Sequence, residues 1–153
     1  VVTVPAYASY TTAPNLLLNN TYQRVTGWGE IVAPERITET TGVFTAQDEG
    51  IYQWTLERIY TNYDKNVSKP PVILFIRVIK NGSEVLFERD APIGSATAND
   101  EPGINSYVSP FIMSVNAGDT YEFLVKAEEL DGDNPSDTHL LKMQFAANKI
   151  HNL

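Results

Sequence analysis

The sequence predicts an all-β protein, two antiparallel sheets packed face to face as a sandwich or jelly roll. Three observations carry this. The dominant hydrophobic period is two rather than 3.6, the apolar vocabulary is Val, Ile, Tyr, Phe and Trp, and turn signals recur at intervals suited to short antiparallel strands. About eight to ten strands with no helical period leave sheet on sheet as the packing solution.

In chain order, residues 1–14 are rich in Thr, Ala, Ser and Pro with Tyr7 and Tyr10 interspersed, which predicts an extended N-terminal arm. The single sandwich domain is expected over residues 15–153. From Ile51 to Glu57, Tyr52, Trp54 and Leu56 alternate with Gln53, Thr55 and Glu57, placing three large side chains on one face. Val72 to Ile79 is apolar at nearly every position, so both of its faces should be covered. Asn81-Gly82, two residues that tolerate positive φ, predict a tight hairpin with a primed turn. Ala91 to Ser106, with Gly94, Pro102 and Gly103, reads as a long surface loop. Asn116-Ala117-Gly118-Asp119 marks a turn before Thr120 to Ala127, where Tyr121, Phe123, Val125 and Ala127 face inward. Leu141, Met143 and Phe145 alternate with Lys142 and Gln144 in a last strand that His139 opens.

Composition narrows the partners. The chain has 153 residues, no Cys and two His, with 11 Lys+Arg against 19 Asp+Glu for a net charge of -8. Thiolate metal sites, Cys nucleophiles and disulfides are thereby excluded, and a single core at this length needs no staple. The acidic balance argues against nucleic acid, which is bound chiefly through its phosphates. Twelve acidic residues against two basic ones between Glu84 and Asp137 predict one strongly negative flank. No stretch approaches the ~18 apolar residues of a membrane span, so membrane insertion is not expected.

Several motifs recur in a meaningful order. Thr40-Thr41-Gly42-Val43-Phe44-Thr45-Ala46 is followed by Gly50-Ile51-Tyr52-Gln53-Trp54, then a hydrophobic strand ending Lys80-Asn81-Gly82, then Asn116-Ala117-Gly118-Asp119-Thr120-Tyr121. This order resembles the complement C1q and tumour necrosis factor superfamily over residues 37 to 150, with Gln144-Phe145 in the place of that family's last aromatic strand. The resemblance implies a jelly roll that assembles as a compact homotrimer. On that reading one face of Val72 to Ile79 fills the sandwich and the other the three-fold axis, which makes Ile73, Phe75 and Ile79 candidate trimer-interface residues. The same trimeric fold recurs in bacteriophage virion proteins, and a short chain with an extended arm and no stalk looks most like a capsid decoration protein.

Chemistry is sparse. Ser136, Asp137 and His139 sit on one loop and cannot adopt the geometry of a catalytic triad. Asp131, Asp133 and Asp137, with Glu128 and Glu129 before them, form a weak calcium candidate whose spacing fails the EF-hand pattern; a solvated acidic loop is the plainer reading. No Gly-rich phosphate loop or other cofactor motif is recognisable, and no cofactor is expected. Trp28, between Gly27 and Gly29, is an exposed aromatic or a core or interface residue.

The expected binding elements are therefore surfaces. Pro5, Tyr7, Tyr10 and Pro14 would form a capsid-docking arm, and Asn62, Tyr63 and Asn99 would offer loop-tip contacts to a sugar or protein. The expected function is non-enzymatic: a trimeric capsid decoration protein on a phage particle surface, with viral capsid protein as partner. The alternatives are a receptor-binding tip of a tail fibre and a secreted ligand of C1q or tumour necrosis factor type.

Overall fold

A computed structural model describes residues 5–63, 72–93, 102–105, 109–135 and 138–153. Among these described residues thirteen strands follow in order: β1 Tyr7–Thr12, β2 Leu16–Leu17, β3 Gln23–Arg24, β4 Gly29–Glu35, β5 Ile37–Thr40, β6 Val43–Ala46, β7 Gly50–Tyr63, β8 Val72–Lys80, β9 Glu84–Ile93, β10 Pro102–Asn105, β11 Ser109–Val115, β12 Thr120–Glu129 and β13 Thr138–His151. They form two antiparallel sheets. The first runs β10-β7-β13-β1-β4, with β11 beside β10 on the same edge of β7 and β2 continuing the line of β1 on β13. The second runs β5-β6-β12-β8-β9, with β3 continuing the line of β6 on β12. No described helix is long and apolar enough to cross a membrane.

The period-two reading matches the burial. Tyr52, Trp54 and Leu56 of β7 face Tyr121, Phe123 and Val125 of β12, and all six are buried. Phe145 of β13 is the hub. Its ring lies 4.7 Å from Phe123, 4.8 Å from Phe44, 5.1 Å from Trp28, 5.5 Å from Trp54 and 5.8 Å from Tyr10, the separations at which aromatic pairs add to simple area burial. Trp28 is a core residue, and its Nε1 donates to the Val25 carbonyl at 2.9 Å. The hairpin turn is of the primed kind, with Asn81 at φ 50° and Gly82 at φ 80°.

Three expectations are corrected. Residues 7–12 are not an arm. They form β1, which pairs with β13 from Tyr7↔Asn148 to Thr12↔Met143 and with β4 on its other side. Ala8, Tyr10 and Thr12 alternate inward, so the domain boundary expected at residue 14 does not exist. The pairing runs through backbone groups on both sides, so the small side chains that suggested an arm do not oppose it. The loop expected over residues 91–106 is in part strand, since β9 runs on to Ile93 and β10 pairs with β7.

Candidate functional site

The sandwich presents two outer faces, and pairing register defines both. On the β8 sheet, four rows cross β12, β8 and β9: Glu128–Ile73–Pro92, Lys126–Phe75–Asp90, Leu124–Arg77–Glu88 and Glu122–Ile79–Val85. Each row carries at least one charge, and the charges are paired. Arg24 meets Glu122 at 2.7 Å, Lys126 meets Glu128 at 2.7 Å, and Arg77 donates to Glu88 at 2.9 Å. Tyr22 lies over this lattice. The Arg77 guanidinium is 4.1 Å from its ring centroid and the Lys126 ammonium 4.9 Å, cation–π distances, while its hydroxyl donates to Glu88 at 3.1 Å.

Electrostatics on this face follow from those contacts. Burial, against the opposing effect of Arg77, pushes the Tyr22 phenol up to about 12. Hydrogen bonds from Arg77 and then Tyr22 hold the Glu88 carboxyl below its ordinary value, and Arg77 is raised in return.

This geometry changes the account of Ile73, Phe75 and Ile79. All three do point away from the core, but Ile79 is only 7% exposed in the single chain and Phe75 lies beneath Lys126, whose Nζ is 4.8 Å from its ring centroid. The second face of β8 is thus largely covered from within by Tyr22, Lys126 and the ion pairs.

The opposite face of the sandwich differs. On the β7 sheet, two rows cross β1, β13, β7 and β11: Ser9–Ala146–Thr55–Pro110 and Tyr7–Asn148–Gln53–Ile112. Neither row holds a charge on these four strands, and the next strand, β4, sets the exposed Glu35 opposite Tyr7. Ile112 is 63% exposed, and on β4 Ile31 and Val32 are exposed as well. An uncharged patch of this extent across four strands is the surface most easily desolvated against a partner.

The remaining candidates are quickly placed. Glu129, Asp131 and Asp133 can bring one oxygen each within 4.8 Å of one another. The loop's own hydrogen bonds account for that proximity, since the Asp133 amide donates to Asp131 at 3.2 Å and Gly132 to the Glu129 carbonyl at 2.9 Å. Exposed acidic groups gathered by such a turn are common without an ion. Asp137 and Ser136 lie outside the described residues, and so does Asn99. Asn62 and Tyr63 close β7, with their backbones paired to His139 and Thr138. Pro5 is exposed and Pro14 half-buried, while Tyr10 is 3% exposed and packs in the core rather than on a free arm. Sequence reasoning missed the β7-sheet face, because Ser9, Thr55 and Ala146 carry no signal until register aligns them.

Comparison with solved structures decides the fold. The chain is similar to the Eiger TNF structure from S. frugiperda, with TM-score 0.61 and 17% identity over 99% of this chain and 96% of that one. It has the fold of a tumour necrosis factor jelly roll. Two structures of murine APRIL agree: one at TM-score 0.57 and 12% identity covers 95% of this chain and 99% of that chain, the other at 0.58 and 13% covers 94% and 99%. No protein-family profile matches the chain, and neither does any curated protein sequence. The jelly roll expected from the motif order is thereby established, while nothing in these comparisons points to a bacteriophage.

Proposed function

We propose that the chain is a non-enzymatic, ligand-type binding protein that acts as a homotrimer assembled through the outer face of its β7 sheet. The uncharged rows Ser9–Ala146–Thr55–Pro110 and Tyr7–Asn148–Gln53–Ile112 are the observation that carries this. A subunit interface excludes water from its centre, and burying unpaired charge there is costly. The β8-sheet face, with a charge in every row, is the poorer candidate. The jelly rolls that the chain resembles support three-fold assembly.

The narrower reading, a decoration protein on a virion surface, depended on a free N-terminal arm gripping a capsid. Strand β1 removes its support, and an extracellular ligand is the better-supported role.

Light scattering tests the assembly. The chain should elute at three times 17.0 kDa. Ile112→Asp with Thr55→Arg should yield folded monomer, and Ile73→Asp should remain trimeric. The opposite pattern would move the interface to β8, and a monomeric parent chain would end the proposal.

A further inference from the structure

The sandwich opens between β4 and β5, the terminal strands of the two sheets, onto a cleft of about 380 Å³. Tyr10 and Trp28 line it, with Glu30, Ile37 and Glu39 around them. Both carboxylates stand opposite core aromatics in the register, Glu39 half-buried and Glu30 exposed. Glu30 pairs with Tyr10 and Glu39 with Phe44, and the Tyr10 and Phe44 rings are 5.0 Å apart, edge to face. Inward-facing positions on a strand ordinarily hold apolar residues, so the half-buried Glu39 is unusual there.

Arg36, the cationic residue of the lining, is already committed. Its Nε and Nη2 donate to the two carboxylate oxygens of Asp48 at 2.9 and 2.7 Å, a bidentate pair. Glu39 accepts the Gly42 amide at 2.9 Å through one oxygen, leaving the other free of described partners, and Glu30 makes no hydrogen bond to a described residue. The Tyr10 side chain is 3% exposed, and its hydroxyl, which has no hydrogen-bond partner among the described residues, is the part open to the cleft. Burial first, then the charges of Glu30 and Glu39, raise its pKa, so both carboxylates act on the phenol. A hydroxyl open to the cleft, two carboxylates with acceptor capacity to spare and aromatic walls together describe a receptor for an organic cation.

We propose that this cleft binds the guanidinium or ammonium group of a basic side chain on a partner polypeptide. Its position supports a polypeptide source. β4 pairs with β1 on one side only, and its exposed run from Gly29 offers a free edge along which an extended segment can add as a further strand. The net charge of -8 favours a basic partner as well. The site lies within one chain and does not depend on the trimer.

Inward-facing edge charges also deter sheets from associating, a role that requires no ligand. Calorimetry separates the two. n-Butylguanidinium should bind the full chain, while n-butylurea, of the same shape without the charge, should bind at least about tenfold more weakly. The preference should vanish in Glu30→Gln with Glu39→Gln, where glutamine still accepts from Gly42, and should persist in Glu128→Gln, at a distant acidic position. Glu30→Gln alone, which breaks no hydrogen bond, serves if the double variant fails to fold. An extended acetylated pentapeptide with central Arg should bind about tenfold more tightly than n-butylguanidinium through edge pairing. Equal binding of the two small probes, no binding of either, or a preference that survives the Glu30 change overturns the cation site. A peptide no tighter than the small probe overturns the polypeptide source.

Discussion

Asn81 and Asp119 are joined side chain to side chain at 3.1 Å, across 38 positions of sequence. The pair locks together the two turns that carried the resemblance. Asn81 also accepts the Thr120 amide at 2.9 Å, and Asp119 accepts the Asn116 amide at 2.9 Å and faces Lys80 at 3.3 Å. Burial pushes the Asp119 carboxyl up, yet the Asn116 amide, the Asn81 side chain and Lys80 together hold it below its ordinary 3.8. A depressed folded-state value means stability that is present above the unfolded value and lost as pH falls through the folded one.

Asp119→Ala should therefore cost about 1–3 kcal/mol at neutral pH, the penalty for orphaning buried donors. Urea midpoints measured from pH 5 down to pH 2 should fall for the parent chain and fall less for Asp119→Asn. Identical slopes for the two would remove Asp119 from the account of acid sensitivity.

Phe145 touches five aromatic rings and is fully buried. Truncating it should destabilise the fold by about 3–5 kcal/mol, the range for a large core aromatic. Phe75→Ala, on the outer face beneath Lys126, should cost clearly less. Chemical denaturation of both variants reads the difference, and equal losses would contradict the assigned core.

Two glycines with φ 80° make a controlled comparison. A Cβ at Gly42 would lie 2.6 Å from the Val25 carbonyl oxygen, whereas one at Gly82 meets nothing within 4 Å. Gly82→Ala should cost only the left-handed backbone penalty, about 1–2 kcal/mol. Gly42→Ala adds a clash with backbone and should lower the thermal midpoint several degrees further. A smaller loss at Gly42 than at Gly82 would show that the Val25 segment yields.

Removing residues 1–12 takes away a strand with partners on both sides and the Tyr10 ring that stacks on Phe145. Such a chain should show no cooperative unfolding transition by circular dichroism. A folded truncated protein would restore the arm reading.

Strands whose large residues alternate were legible in the sequence. Tyr52, Trp54 and Leu56, and Tyr121, Phe123 and Val125, announce their faces by size alone, and Asn81-Gly82 names its own turn. β1 was not legible because Ala8, Ser9, Thr11 and Thr12 are small on both faces, so the contrast that periodicity needs is missing. The covering of β8 was hidden for another reason. Tyr22 sits outside every recognisable strand pattern, and its role follows from its contacts with Arg77 and Lys126 rather than from spacing. The cleft acids escaped notice likewise, since Glu30 and Glu39 read as ordinary solvent-facing residues until their partners Tyr10 and Phe44 are known.

β13 lies between β7 and β1 and is the ladder that joins them. Thr11 and Met143, whose hydroxyl and carbonyl meet in this ladder, are 132 positions apart. During synthesis β1 leaves the ribosome long before its partner exists, and β7 likewise waits with an open edge. Folding of this sheet is consequently a late, single event of high contact order, slow by the standards of small domains. A nascent chain stalled ahead of β13 would expose two open strand edges, one on β1 and one on β7, which makes this interval the one in which the protein most needs a chaperone.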